Sequence, residues 1–148
     1  MEIYVDADAC PVVDTILEEV IGKNITVHLV RSYSHYSHQD YPSFVKVTYV
    51  DTGSDAVDYR IIGMAKAKDI IVTQDYGLAA LGLEKNCYVI HHIGFLYSKK
   101  KIDQMLEERH LKAKARKAGL RTKGPKKLSN DQKESFRHQL RKLIQTSC

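Results

Sequence analysis

The stretch EIYVDADACP, residues 2–11, decides the fold because it joins a short strand directly to the start of a helix. The pattern predicts a strand over Glu2 to Asp6, and Pro11 suits the first turn of a helix. Apolar residues recur at helical spacing from Val12 to Ile21, which predicts a helix that runs to about Lys23. The chain therefore begins with a β-to-α unit, the usual building block of a parallel sheet.

The alternation of strands and helices continues to about residue 98. Further strands are predicted at ITVHLVRS (25–32), FVKVTYV (44–50), DIIVTQ (69–74) and CYVIHH (87–92). Helices are predicted over 54–68, with Ser54 as the cap, and from the turn at Asp75 through Glu84. The fourth strand carries an unbroken apolar run, as expected when both faces are covered. We therefore expect an α/β fold, a three-layer α/β/α sandwich with a mostly parallel central sheet of about five strands.

The charge of the chain changes sign near residue 98. Residues 1–98 contain 7 Lys and Arg against 13 Asp and Glu, a net charge of −6, whereas residues 99–148 contain 16 against 5, a net charge of +11. In the second part Ser98 can cap a helix that ends at Gly119, and Ser129 with Gln132 forms a capping box for a final helix. We therefore predict an acidic body, 1–98, with a basic helical extension, 99–148, packed on the same domain.

The basic extension favours a polyanionic partner, usually nucleic acid, although many basic helices are only solvated surfaces. Lys99, Lys100 and Lys101 oppose the dipole of their helix, so they are not there to stabilise it. The predicted phosphate-binding residues are Lys99, Lys100, Lys101, Lys112, Lys114, Arg116, Lys117, Arg121, Lys123, Lys126 and Lys127. No aromatic residues are interleaved with them, which favours contacts to the nucleic-acid backbone over base recognition.

Aspartates follow three of the predicted strands, at the carboxyl edge of the sheet, where ligands bind in parallel α/β folds. They are Asp6 and Asp8 after the first strand, Asp55 and Asp58 after the third, and Asp75 after the fourth. If the first strand continued through both, Asp6 and Asp8 would point to the same side. Gathered carboxylates repel one another, and Mg²⁺ or Mn²⁺ is the counter-charge that suits oxygen ligands. The sequence therefore predicts a divalent-metal site with these five ligands, Asp6 and Asp75 also being the catalytic residues.

Most of these aspartates also have a purely structural interpretation. Asp55 and Asp58 suit a helix N-terminus for electrostatic reasons, and Asp75 suits a turn. A purely structural role is least expected for Asp6, because it terminates a central strand. A metal held by such acids can activate water and stabilise the charge of a phosphoryl displacement, so the acids and the basic extension together favour a nuclease.

The chain resembles one known family in four segments: VDADACP (5–11), GSDAVD (53–58), TQDYGLA (73–79) and TKGPKKLSNDQKESFRHQL (122–140). This is the uncharacterised bacterial YaiI/YqxD family, which is grouped with PIN-like domains. The resemblance covers nearly the whole chain and implies a three-layer α/β/α fold with an acidic site like that of metal-dependent PIN-type ribonucleases. It matches Asp6 and Asp75 to the acids that end the first and fourth strands, and Asp55 or Asp58 to the middle acid. PIN nucleases commonly have a glutamate at that middle position and a further acid after the fourth strand, whereas here the next acid is Glu84.

The expected function is that of a metal-dependent phosphodiesterase acting on nucleic acid, with a ribonuclease as the first expectation. One alternative is a nucleic-acid-binding protein without catalysis. Another is a phosphatase, because Asp6-x-Asp8 looks like the opening motif of the haloacid dehalogenases, with a nucleophile followed by an acid/base. That motif has a threonine where Cys10 stands, and Lys46 is the only nearby candidate for the lysine that it expects.

Several His, Tyr and Cys residues are candidates of lower rank. The polar loop SYSHYSHQDYP (32–42) could stack bases or supply a general acid, although such loops are common without that use. His91 and His92 end the last strand, where a satisfied structural histidine is expected. The three cysteines do not form a disulfide or zinc pattern, and Cys10 is expected to fill space. Without a signal-like N-terminus or a membrane-spanning apolar run, we expect a cytoplasmic protein with no membrane partner.

Overall fold

The computed structural model describes residues 1–35, 39–53, 55–119 and 128–147. The strands of the sheet are β1 (Glu2–Asp6), β2 (Thr26–Ser32), β3 (Val45–Val50), β4 (Ile70–Val72) and β5 (Tyr88–Ile90). Their order is β3-β2-β1-β4-β5, and every neighbouring pair is parallel. The predicted α/β fold with a parallel sheet of five strands is confirmed.

Helices cover both faces of the sheet, which gives the predicted three layers. They are α1 (Val13–Val20), α2 (Ala56–Met64), α3 (Tyr76–Glu84), α4 (Lys99–Lys117) and α5 (Asn130–Ser147). α1 ends three residues before the predicted Lys23, and in the turn that follows Gly22 and Asn24 take positive φ angles of 75° and 54°. The predicted cap of α2, Ser54, lies outside the described residues. No helix in the described part of the chain is long and apolar enough to cross a membrane.

The sheet separates two apolar cores because successive strand residues point to opposite faces. Ile3 and Val5 of β1 pack in the core that α1 and α5 share, whereas Tyr4 packs in the core under α2 and α3. β4 is buried along its whole length, as its apolar run predicted. The position of a residue along a strand therefore determines which helices it contacts.

α5 closes the first core. Four of its apolar residues are buried there: Phe136, Leu140, Leu143 and Ile144. The predicted capping box is confirmed, because the Ser129 N–H donates to Gln132 Oε1 at 3.0 Å and the Gln132 N–H donates to Ser129 Oγ at 3.1 Å. The buried Glu19 of α1 also accepts hydrogen bonds from Arg137 and Arg141 of α5. The division of the chain at residue 98 stays a prediction, but α5 belongs to the same core as the body.

α4 lies along α3 and runs in the opposite direction. Ser98 caps α4 by accepting the Lys101 N–H at 3.1 Å. Near this beginning, Ile102 lines a cavity together with Leu83 and Glu84 at the end of α3. Further along, Arg109 contacts Tyr76, the first residue of α3. The C-terminal half of α4 therefore lies beside the first turn of α3, next to the carboxyl end of β4.

Candidate active site

The candidate site lies where the strand order reverses. From β1 the chain builds outward through β2 and β3, and it then returns to place β4 on the other side of β1. In such sheets, ligands bind beyond the carboxyl ends of the two strands at this switch point. Val5 of β1 pairs with Val72 of β4, so Asp6 and Thr73 follow at the same level. The Thr73 hydroxyl donates to Asp6 Oδ2 at 3.0 Å, and Thr73 itself is fully buried.

Asp75 is held in place by the start of α3. Its Oδ1 accepts the N–H groups of Gly77 at 2.7 Å and of Leu78 at 3.4 Å, which is the geometry of a helix cap. A Cβ atom at Gly77 would lie only 3.1 Å from that oxygen, so the glycine allows the close approach. The Asp75 N–H donates to Thr73 Oγ1 at 3.0 Å. Thr73 therefore connects the backbone of Asp75 to the carboxylate of Asp6.

Asp58 comes from the first turn of α2 and meets the other two acids. Burial, followed by the charges of Asp75, Asp6 and Asp55 and a hydrogen bond with the Asp75 carboxyl, raises the pKa of Asp58 from 3.8 to about 7. A hydrogen bond between two carboxyl groups requires a proton on one of them. We refer to Asp6, Asp58 and Asp75 as the aspartate cluster.

The pKa of Asp6 is also raised. Burial is the main cause, the hydrogen bond from Thr73 opposes it, and the charges of Asp8 and Asp75 add to it. Among the described residues, no Lys or Arg forms an ion pair with a member of the cluster. The mutual repulsion of the three carboxylates is therefore relieved by protonation and hydrogen bonds rather than by protein cations.

The two other predicted acids lie beside the cluster. β1 ends at Asp6 and Ala7–Ala9 form a 3₁₀ turn, so the strand does not continue through Asp8, and the alternation that would align it with Asp6 does not apply. Asp8 Oδ1 instead accepts the Ser32 N–H at the end of β2, at 2.8 Å. Asp55 is the N-cap residue of α2, makes no capping bond through its side chain, and acts on Asp58 through its charge.

The donor set suits a hard divalent ion, because it consists of carboxylate oxygens and two of the three have raised pKa values that a cation would lower. In the part of the chain that the structure describes, no group of three or more His, Cys, Asp or Glu side chains is arranged so that it could hold a metal ion. Asp75 Oδ1, which caps α3, already accepts two backbone N–H groups. The Mg²⁺ or Mn²⁺ site stays a prediction.

Sequence analysis missed two buried residues at this edge. Thr73 positions Asp6, and the available signal was its place directly after the apolar run of β4. Tyr97 is 4% exposed, and its hydroxyl has no hydrogen-bond partner among the described residues. Burial, followed by the charge of Asp75, raises the pKa of Tyr97, which places its phenol within the electrostatic reach of the cluster. No short-range pattern identifies Tyr97, because it returns to this edge through a loop after β5.

The prediction that His91 and His92 end the last strand, with a satisfied structural histidine, was wrong in both parts. β5 ends at Ile90, so neither His91 nor His92 is part of the strand. His92 is 2% exposed, yet within the described residues neither of its ring nitrogens has a hydrogen-bond partner. Burial and the neighbouring His91 lower the pKa of His92 to about 4, so it is neutral at physiological pH.

Cys10 packs against the first core, as expected for a residue that fills space, and burial raises the pKa of its thiol to about 12.

Among the described residues, the predicted phosphate-binding residues lie in two groups along α4. Lys99, Lys100 and Lys101 begin α4, about 17 to 20 Å along the helix axis from Lys112. Lys112 and Arg116 line a cavity of about 220 Å³ with Arg109 and Tyr76, next to Asp75. Lys114 and Lys117 are exposed in the same half of α4. The other predicted residues lie outside the described part of the chain: Arg121, Lys123, Lys126 and Lys127.

Comparison with known proteins identifies a family whose description states no activity. Residues 4–146 match a family described as uncharacterised, the YaiI/YqxD family. A UPF0178 protein of Oceanobacillus iheyensis is 58% identical over 136 residues, which cover 92% of this chain and 93% of that protein. UPF0178 proteins of Bacillus cereus and Bacillus mycoides are 54% and 53% identical, each over 97% of this chain and 99% of its own length. No solved structure matches the chain. The grouping with PIN-like domains stays a prediction, whereas the matches to family and relatives show that the chain belongs to the YaiI/YqxD family.

Proposed function

We propose that this protein is a divalent-metal-dependent phosphodiesterase that cleaves nucleic acid, with RNA as the expected substrate and a PIN-like site. The observation that carries the proposal is the aspartate cluster. Three carboxylates from different elements meet at the switch point of the sheet, and one of them has its pKa raised to about 7 by the other two and by burial. Perturbed acids at such a position are typical of functional sites.

Asp6, Asp58 and Asp75 would hold the Mg²⁺ or Mn²⁺ ion, with the charge of Asp8 close by. Such an ion, when bound, activates water and stabilises the charge that develops on a phosphate. Asp58 would give up its proton on binding, since metal ligands must be deprotonated. Thr73 would keep Asp6 in one orientation through the hydrogen bond to Oδ2. The chain's own part in the reaction is thus to gather the carboxylates and to restrain their rotation.

The nearby half of α4 supports nucleic acid as the substrate. Arg109, Lys112 and Arg116 line a cavity beside Tyr76, which directly follows Asp75 in the sequence. Arginine and lysine neutralise phosphates, and phosphate contacts orient a nucleic acid without reading its sequence. A phosphate chain held there would continue toward the aspartate cluster.

The position of Lys46 disfavours the phosphatase alternative. Lys46 lies near the start of β3, where it pairs with His28, and its charge acts on Glu2, the first residue of β1. Asp6 is the last residue of β1, about 13 Å further along the strand. The lysine that a haloacid-dehalogenase mechanism requires near its nucleophile is therefore at the opposite edge of the sheet.

The test is cleavage of a mixed RNA by the purified full-length protein with Mg²⁺ or Mn²⁺. Asp6→Asn and Asp58→Asn are expected to lower the rate by about 100-fold or more, because each removes a ligand of the ion that stabilises the transition state. Asp103→Asn, an exposed acid on α4, is the matched control and should keep the rate within about twofold. Cleavage that survives unchanged in Asp6→Asn would remove the proposed site. RNA binding that weakens steeply with salt and persists in EDTA, without cleavage by either metal, would instead favour the non-catalytic alternative.

A further inference from the structure

A cleft with aromatic walls lies beside the aspartate cluster, at the end of β3 and the start of α2. It has a volume of about 460 Å³, which is within the range of small-ligand pockets. Its lining includes Tyr33, Tyr49 and Tyr59, together with Asp51 and Arg60. The three tyrosines come from three different elements: the 3₁₀ turn after β2, strand β3 and helix α2.

The rings of Tyr33 and Tyr59 present flat apolar surface to solvent. The Tyr33 and Tyr49 rings stack with their centroids 5.8 Å apart and their planes 17° from parallel. Tyr33 is 58% exposed and Tyr59 is 72% exposed. Large aromatic side chains grouped and exposed in this way are typical of a binding surface rather than of ordinary solvent-exposed residues.

The charge of the cleft favours an uncharged ligand ring. Asp51 and Arg60 carry opposite charges, so the lining is close to neutral, unlike the acidic cluster on one side and the basic half of α4 beyond it. Phosphate groups would be better held by the cations of α4. Nucleobases stack on tyrosine whatever their sequence, because every base has an aromatic face.

The cleft lies next to the aspartate cluster, the proposed phosphodiesterase site. Tyr59 directly follows Asp58, and consecutive Cα atoms are about 3.8 Å apart. On the other side of the cluster, Tyr76 directly follows Asp75 and contacts Arg109. The carboxyl edge therefore carries, in order, an aromatic cleft, the aspartate cluster and a basic cavity.

We propose that the cleft of Tyr33, Tyr49 and Tyr59 binds an unpaired base of a nucleic acid whose phosphate lies at the aspartate cluster, so that the substrate is single-stranded. This inference rests on the proposed function and specifies its substrate class. A base in a duplex is stacked between its neighbours and cannot present a free face to tyrosine, whereas a base in a single strand can. The cations of α4 would hold the chain on the far side of the cluster.

The experiment measures binding in EDTA, where the proposed cleavage cannot occur. Three fluorescently labelled probes of equal length are compared by anisotropy: a single-stranded RNA, its duplex, and a single strand with abasic sites. Tyr59→Ala and Tyr33→Ala are expected to weaken binding of the single-stranded RNA by about 5- to 100-fold each and to leave the abasic probe within about twofold. Tyr59→Phe, which keeps the ring, should bind like the natural protein. Tyr88→Ala is the matched control, since Tyr88 is 37% exposed but begins β5 at the opposite edge.

Three outcomes would overturn the inference: equal weakening for the abasic and ordinary probes, duplex binding as tight as single-strand binding, or no effect of the alanine variants. A second copy of the chain is the rival occupant. A dimer in sedimentation that Tyr59→Ala dissociates, without a change in RNA affinity, would also overturn it. Failure of the proposed function is a separate result, because it is measured as cleavage. Base-dependent binding without cleavage would support the cleft alone, and Asp6-dependent cleavage with normal binding by the tyrosine variants would support the cluster alone.

Discussion

At the two edges of the same sheet, the pKa values of carboxyl groups are shifted in opposite directions. At the amino edge, Asp69 accepts the N–H groups of Glu2 at 3.1 Å and of Lys66 at 2.9 Å. Glu2 in turn accepts hydrogen bonds from His28 at 3.0 Å and Tyr4 at 3.1 Å, and the bond with His28 is the main cause that lowers the pKa of Glu2. At the carboxyl edge, the carboxylates of the aspartate cluster face one another, and the pKa values of Asp6 and Asp58 rise.

The acids of the amino edge stabilise the fold through their hydrogen bonds, whereas the acids of the aspartate cluster are the proposed ligands of a metal ion. A carboxylate with dedicated donors is most stable when ionised and contributes to folding at neutral pH. A carboxylate crowded by others opposes folding as it ionises, unless a cation binds. The two edges therefore predict opposite responses to substitution, metal and pH, and each response can be measured.

Loss of an acid at the amino edge should have the largest effect on stability. Asp69→Ala leaves the N–H groups of Glu2 and Lys66 without their buried acceptor, so we expect the free energy of unfolding to fall by about 3 kcal/mol. Urea denaturation at about pH 8 in EDTA measures it. Asp103→Ala, an exposed acid, is the control and should change the free energy by no more than about 0.5 kcal/mol. Equal effects of the two substitutions would contradict a structural role for Asp69.

Metal binding at the carboxyl edge should have the next largest effect. Mn²⁺ at about 50 times its dissociation constant should raise the free energy of unfolding by about 2 kcal/mol, because the ion binds the folded cluster and not the unfolded chain. The gain should shrink at about pH 5, where protons compete for Asp58. Thermal unfolding with and without Mn²⁺ measures it. Asp6→Asn should lose most of the gain and Asp103→Asn should keep it, so an equal gain in both variants would place the metal elsewhere.

The smallest predicted effect is a gain in stability from removing an acid. The pKa of Asp58 is raised from 3.8 to about 7 in the folded state, so its contribution to stability is complete below about pH 4 and is lost as the pH rises to about 7. In EDTA at about pH 8, Asp58→Asn should therefore have a free energy of unfolding about 1 kcal/mol higher than that of the natural protein, measured by urea denaturation. The gain is this small because the partial exposure of Asp58 screens its interactions with the other carboxylates. At about pH 4 the two proteins should be equal.

Glu2→Gln is the control with the opposite sign. The pKa of Glu2 is lowered in the folded state, so its contribution is present above pH 4.5 and is lost as the pH falls through the folded value. Glu2→Gln should therefore be less stable than the natural protein at neutral pH. A stability difference for Asp58→Asn that does not change between about pH 4 and pH 8 would show that the pKa of Asp58 is not raised in the folded protein.

The sequence by itself determined the elements of this protein and their type. Strand and helix periods, the cap at Ser98 and the capping box at Ser129 and Gln132 involve residues at most a few positions apart, so they act in the same way in any fold that contains them. The alternation of the two element types was enough to predict a parallel sheet. It also placed the acids at the carboxyl edge, because each of them follows a strand.

Only the tertiary structure decided which of these acids meet. The order of the strands brings Asp6 and Asp75 together from positions far apart in the chain, and the packing of α2 adds Asp58. The 3₁₀ turn after β1 gives Asp8 a backbone partner on β2 instead. The aromatic cleft likewise joins tyrosines from three elements. Contacts of this kind depend on how whole elements pack against one another. The spacing of residues within one segment of the sequence does not predict that packing.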